Sequence, residues 1–380
     1  MPRPLTLRRS LRQSDRLSSK TPSRPAILRT DLLEQNVLSE SASRQTENVV
    51  LVEPAASAAG AGDDVPFFIV GSGRSGTTLL RLFLCGHSRL HVPPETHFIE
   101  ALVTRLPLAA PLTPAQAAEA VAVIVGHPHW KFMEMPAEAL REAVARMPAP
   151  TLADVVAPVY RHHLARAGKP RCGDKTPDYI TIVPELAAMY PGARFIHLIR
   201  DGRDVTISMN ELGWGHAYHG EQFEWTRAIR RGFGYRDSAL APQILEVRYE
   251  DLVRDVAGTL RRICDFLGEE FEPAMLERQQ TGDTLVAPEW RHIHGKLAKP
   301  VTADAVATWR RKLSAAECFL IEASLRRDLE RLGYRLRFAG ALWRPPLAVA
   351  AALLRAAAPL LDRLLPALHR RGYLRRPICL

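Results

Sequence analysis

Phe67-Phe68-Ile69-Val70 runs directly into Gly71-Ser72-Gly73-Arg74-Ser75-Gly76 and then into Thr77-Thr78-Leu79-Leu80-Arg81-Leu82-Phe83-Leu84. A short apolar run, a glycine-rich loop and a helical pattern ending near Gly86 predict a buried strand, a tight turn and a helix. Backbone N–H groups in such a loop and at the helix start converge on an anion. This unit points to an α/β chain holding a phosphate at the carboxyl end of a strand.

The loop admits two nucleotide readings. As GxGxxG it matches a dinucleotide fingerprint, with Glu95 lying 19 residues past Gly76. As GxxxxG-x-[ST] it matches a triphosphate loop in which Thr77 stands where a lysine is usual. That lysine reaches the β- and γ-phosphates, so its replacement argues against a kinase or nucleotidase using ATP and Mg²⁺. Donors on Gly73, Arg74, Ser75, Gly76, Thr77 and Thr78 suit one phosphate and its substituent, such as a 5′-phosphosulfate. For the dinucleotide reading, Pro93-Pro94 before Glu95 opposes a central strand ending there.

A second αβα passage follows. A helix is expected from Thr181 to Tyr190, then a strand over Phe195–Ile199, then a helix through Met209. Arg200 ends that strand and Ser208 lies eight residues on, about two helical turns. A guanidinium and a hydroxyl so placed can hold a second phosphate. Ile244–Val247 reads as another strand, followed by a long amphipathic helix to Leu267. Thr113-Pro114 opens a helix, Pro158 is expected to kink or divide the one over Thr151–Ala167, and Ser314 with Glu317 forms a capping box for a helix ending at Gly333. Alternating strands and helices imply a P-loop-like three-layer sandwich, with a central mostly parallel sheet and a helical insertion over about residues 100–168.

The 380 residues carry a formal net charge of +10, and residues 1–30 hold eight Arg or Lys against the single Asp15. The excess favours anionic partners and leaves a basic nucleic-acid-binding module as a competing reading. Residues 1–60 read as a disordered basic tail, with an organelle transit peptide as the alternative. Residues 61–337 read as the α/β domain, and 338–380 as a basic amphipathic tail suited to peripheral membrane contact. Five scattered cysteines without a CxxC pair fit a reducing, cytoplasmic setting.

Arg-Ser-Gly-Thr-Thr after an apolar strand, with Arg200 and Ser208, resembles the donor site of sulfotransferases that use 3′-phosphoadenosine 5′-phosphosulfate. It resembles in particular the bacterial group similar to tyrosylprotein sulfotransferases. Cys172-Gly173-Asp174-Lys175-Thr176-Pro177 resembles the family's lysine-bearing segment, and Val247–Leu252, with Tyr249, its later strand–helix signature. His294–Lys296 through Lys299–Val301 and Trp309 resembles its closing loop, carrying Lys296 and Lys299 over the nucleotide. The likeness covers about residues 66–335.

It implies that Glu95 is the base that deprotonates a hydroxyl acceptor, with His97 and His91 as rivals. Arg74 and Lys175 would stabilise the sulfuryl and bridging oxygens, and no metal is expected. The acceptor stays open among carbohydrates, phenols or tyrosine, and small metabolites. Animal tyrosylprotein sulfotransferases pair a cysteine near the base with one in the lysine segment. Here prolines precede Glu95, so that pairing for Cys172 is not supported.

Overall fold

The computed structural model describes residues 65–211, 220–277 and 301–350, with 352, 353 and 356. The N-terminal unit Met1–Ala58 lies outside them, as do Lys296 and Lys299. Everything below belongs to the unit Ala59–Leu380.

Five strands, β1 (Phe67–Gly71), β2 (Leu90–His91), β3 (Arg171–Lys175), β4 (Phe195–Ile199) and β5 (Ile244–Arg248), form one sheet in the order β2-β3-β1-β4-β5. Every pairing is parallel. Parallel neighbours need long crossovers, and the connecting helices cover both faces. Side-chain alternation along β1 shows this directly. Phe68 and Val70 join one core cluster with Phe195, while Phe67 and Ile69 join another with Ile196 and Leu198. The α/β sandwich expected from the sequence is the observed architecture.

Helices among the described residues include α1 (Thr77–Cys85), α2 (Phe98–Val103), α3 (Pro114–Gly126), α4 (Ala137–Ala145), α5 (Leu152–Ala167), α6 (Val183–Met189), α7 (Gly202–Glu211), α8 (Gly220–Arg236), α9 (Tyr249–Arg254), α10 (Val256–Leu267), α11 (Trp309–Lys312) and α12 (Ala315–Arg331), and residues 344–350 are helical too. Thr113 caps α3 and Ser314 caps α12 through capping boxes, and Thr151 with Asp154 does the same for α5. Helices α3 to α5 bury Ala120, Ile124, Leu140, Val155 and Val159 in the same cluster as Phe68. The insertion is therefore packed onto the sheet rather than set apart from it.

The structure refines four local expectations. Pro158 does not divide its helix: α5 runs unbroken over Leu152–Ala167, with Val155, Val156, Val159 and Tyr160 buried around the proline. That packing outweighs the one hydrogen bond the ring removes. The helix expected over Thr181 to Tyr190 is α6, Val183–Met189, preceded by a 3₁₀ turn over Pro177–Thr181. The helix after β5 is two helices, because the Asp255 carboxylate accepts from the Gly258 N–H at 2.9 Å and starts α10 afresh. Helix α12 runs to Arg331 with Leu332 as its C-cap, and Gly333, at a left-handed φ of 76°, ends it as expected.

The strands β2 and β3 were not anticipated as strands. β3 reads Arg-Cys-Gly-Asp-Lys, yet all five residues are buried. Gly173 is required there, since a Cβ would come within 2.3 Å of the Phe67 ring on β1.

Past β4 the chain is fixed by buried charge. Arg203 reaches Asp201 at 2.7 Å and Glu322 of α12 at 2.6 Å, with its guanidinium 3.8 Å over the Trp309 ring. Asp204 accepts from the Trp309 N–H at 2.8 Å and the Thr308 hydroxyl at 2.7 Å. Buried charges persist only when paired in this way. They clamp residues 301–313 onto the start of α7.

Candidate active site

The loop between β1 and α1 turns on Gly76, at φ 98°, where an added Cβ would lie 2.5 Å from the Tyr249 ring. Tyr249 opens α9 and supports the loop from below. Arg200, at the carboxyl end of β4, lies with its guanidinium 4.5 Å from the same ring. It donates Nη1 to the Arg74 carbonyl at 3.0 Å and Nη2 to the Ala305 carbonyl at 2.9 Å. Arg74 in turn donates Nε to the Ser208 hydroxyl at 3.3 Å. Gly73, Arg74, Ser75, Gly76, Arg200, Ser208 and Tyr249 are thus one connected group, although Arg200 and Ser208 meet through Arg74 rather than directly.

Two guanidinium groups so close repel each other. Burial and then Arg200 push Arg74 below its ordinary value. The Ser75 hydroxyl and the Arg200 Nε are buried without a hydrogen-bond partner among the described residues. Buried donors are rarely left without a partner, and a water, an ion or a ligand can complete them. Paired cations, unsatisfied donors and the start of α1 together fit a bound anion. Gly76→Ala should lower thermal stability, at a cost of about 1–3 kcal/mol for the forced conformation. Thermal unfolding reads this directly.

Beside this loop, Lys175 ends β3 with its side chain 3% exposed. Its Nζ donates to the Thr78 hydroxyl at 3.3 Å and also contacts Glu95 Oε1. Thr77 is buried at the first position of α1. Glu95 follows the edge strand β2 after Pro93-Pro94, so it sits on a loop, where a ribose-binding carboxylate at a core strand's end would not be. Its Oε2 accepts from His97 Nε2 at 2.8 Å, and its carbonyl accepts from His129 Nδ1 at 3.3 Å.

Burial opposes the charge on Glu95, but Lys175 and His97 prevail and hold its carboxyl well below the usual carboxylate range. For His97, burial is outweighed by Glu95, and its value rises above 6.5. His97 also adopts φ 53°, a strained conformation for a side chain of its size. The stability that the imidazolium gains from Glu95 is complete below pH 6.5 and is lost as pH rises through the raised folded value.

A buried network fixes this geometry. Asp174, next to Lys175, accepts from Thr96 at 2.7 Å, Tyr160 at 2.8 Å and Thr176 at 2.8 Å. Thr96, next to Glu95, accepts from the Tyr179 hydroxyl at 2.6 Å. The backbones on either side of the Glu95–Lys175 pair are thereby locked together. His91, by contrast, ends β2 and stacks on His163 at 6.2 Å, its value pushed down to about 4 by burial and by Arg81.

Two residues near Glu95 were not singled out in the sequence. His127 and His129 come from the turn after α3, and the His129 ring meets the His97 ring edge-on at 4.2 Å. The His-Pro-His-Trp run following the helix-ending Gly126 was the available signal. Among the described residues, no His, Cys, Asp and Glu group is arranged to hold a metal ion. Cys172 is a buried free thiol.

Comparisons with known proteins identify the family. A family model described as the sulfotransferase family matches residues 66–273, more than half of the chain. Protein-tyrosine sulfotransferase A of Caenorhabditis elegans is 25% identical over 257 residues, covering 64% of this chain and 61% of that one. Nodulation protein NoeE of Sinorhizobium fredii is 31% identical over 298 residues, covering 70% of this chain and 65% of its own. The chain thus spans somewhat under two thirds of the length of these relatives. Among solved structures, the sulfotransferase domain from the Synechococcus PCC 7002 olefin synthase aligns with TM-score 0.51 and 26% identity, over 71% of this chain and 95% of that one. From the phosphate-type loop, the paired arginines and the matched family model, the chain belongs to the sulfotransferase family.

Proposed function

We propose that this chain transfers a sulfuryl group from 3′-phosphoadenosine 5′-phosphosulfate to a hydroxyl acceptor, with Glu95 as the base. The observation that carries the reading is the position of Lys175, whose ammonium touches both the loop hydroxyl of Thr78 and the carboxylate of Glu95. It stands where the anion site and the base adjoin. Gly73 to Thr78 would hold the 5′-phosphosulfate through N–H groups and hydroxyls. Arg200 and Ser208 would hold the 3′-phosphate, and Tyr249 supports Arg200.

In the transfer, the acceptor oxygen attacks sulfur as its proton passes to Glu95. The bond from sulfur to the bridging oxygen breaks, and that oxygen keeps the electron pair. Arg74 and Lys175 stabilise the negative charge gathering there. While Lys175 stays on Glu95 the carboxylate is a weak base. A donor anion beside Thr78 competes for the ammonium and raises the proton affinity of Glu95 when it is needed. Donor binding therefore prepares the base.

The acceptor side is walled by His97, His127 and His129, contributed partly by the helical insertion. The relatives named above include a protein-tyrosine sulfotransferase, so tyrosine peptides lead the acceptor panel. Transfer of labelled sulfate to glycans, phenols and tyrosine peptides tests the reading. No transfer from the donor to any of these, with phosphoryl transfer from ATP instead, would overturn it. Arg200→Ala should weaken binding of adenosine 3′,5′-bisphosphate by roughly 10- to 100-fold, the worth of a lost charged hydrogen-bond pair. Calorimetry measures this without an acceptor.

A further inference from the structure

One face of α1 carries Thr78, Arg81 and Cys85, spaced three and four residues apart, so the three lie one above another. Nearest the helix start, the Thr78 hydroxyl accepts from Lys175 Nζ at 3.3 Å. One turn on, Arg81 Nε donates to the Val92 carbonyl at 2.8 Å. A further turn on, Cys85 Sγ accepts from the Val92 N–H at 3.4 Å. Both backbone polar groups of Val92 are thus held by the helix that carries the phosphate-type loop at its start.

Val92 stands just before Pro93 and Pro94, and Glu95 follows them. Each proline ring locks φ at about −65°, so the pair passes the position of Val92 on to Glu95 with little play. Neither proline has an N–H through which the loop could be anchored. Anchoring therefore falls to the residues on either side. Thr96 is held by Asp174 of β3 at 2.7 Å, and Val92 by Arg81 and Cys85 of α1.

An arginine is a costly choice for this place. Arg81 is 5% exposed, and a charge taken so far from water loses its hydration. Its neighbours Leu80, Leu82 and Phe83 fill the same interior with apolar side chains. Burial pushes Arg81 below its ordinary value, while Cys85, Glu95 and Asp174 favour its charge. Lys175 of β3, His91 of β2 and His163 of α5 face it as well. Glu95 in turn faces Lys175, His97, His129, Arg74 and Asp178. We propose that Arg81 is a positioning residue for the reaction, tying the loop that carries Glu95 to α1 so that the base keeps its place relative to the phosphate loop at the start of the same helix. This role rests on Glu95 being the base, as proposed above.

The test uses the full chain and reads turnover, nucleotide binding and amide exchange together. Arg81→Met withdraws the donor and the charge while keeping much of the volume. Its kcat should fall by roughly 10- to 100-fold, the worth of a small misplacement of a catalytic group, while adenosine 3′,5′-bisphosphate binding holds. Arg81→Lys, which can still bring a charged donor to the carbonyl, should recover most of the loss. Amide exchange in Arg81→Met should quicken at residues 95–98 and stay native at residues 75–78. Cys85→Ala withdraws the sulfur beneath the Val92 N–H and should show the same split at smaller size, which decides the matter if Arg81→Met does not fold. An unchanged kcat in Arg81→Met, or in Cys85→Ala where the methionine variant does not fold, would overturn the proposal. So would bisphosphate binding lost in step with kcat, or exchange quickened equally at both ends, as a merely structural arginine predicts. If the native chain transfers no sulfate, the function proposed above fails, and the exchange comparison still decides whether Arg81 holds the Glu95 loop.

Discussion

Glu95→Gln is expected to lower kcat by about 10²- to 10⁴-fold, the usual worth of a positioned base, while adenosine 3′,5′-bisphosphate still binds, at least as tightly because Lys175 is released to the anion. The amide keeps the shape of the side chain and its place between Lys175 and His97 but cannot take a proton. Its distance in sequence from Arg200 and Ser208 separates the two readouts. Rapid-quench turnover and calorimetry on the same preparation check both. An unchanged kcat would move the base to His97, which holds Glu95 Oε2 at 2.8 Å; His97→Asn would then carry the loss.

Lys175→Met should lower kcat by about 10²- to 10³-fold, comparable to loss of a preorganised charge at a developing oxyanion. It should also shift the acid limb of the pH–rate profile. In the native protein Lys175 and His97 depress Glu95 despite its burial, so the carboxylate stays ionised into strongly acid solution. Without the lysine, burial has less opposing it and the Glu95 value rises, so activity falls off at higher pH than in the native enzyme. The same pairing stabilises the fold above the unfolded carboxylate's value near 4.5, and that contribution is lost as pH falls through the depressed folded value. A variant with reduced kcat but an unmoved acid limb would separate Lys175 from the base.

Local pattern made β1, its loop and α1 readable, because an apolar run, closely spaced glycines and a helical repeat occupy one continuous stretch. Arg200 was readable because it ends a second apolar run, Phe195–Ile199. β3 was not, since nothing in Arg-Cys-Gly-Asp-Lys resembles a buried strand. Each of its charges is matched far away in sequence: Arg171 by Glu269 at 2.8 Å, Asp174 by Thr96 and Tyr160, Lys175 by Glu95. Such partners become visible only when the sheet order places β3 between β2 and β1. His129 was hidden for the same reason, as its carbonyl partner at Glu95 lies across the insertion. At Pro158 the helix is not divided, because Val155, Val156, Val159 and Tyr160 are buried on both sides of the ring.

The donor claim rests on the two proposed phosphate sites, Gly73 to Thr78 and Arg200 with Ser208, and calorimetric titration of the full chain with adenosine 3′,5′-bisphosphate, adenosine 5′-phosphate and ATP tests it most directly. The bisphosphate should bind tightest, without added metal, and Arg200→Ala should bring it down toward adenosine 5′-phosphate. Tight Mg²⁺-dependent binding of ATP with no preference for the 3′-phosphate would contradict the account.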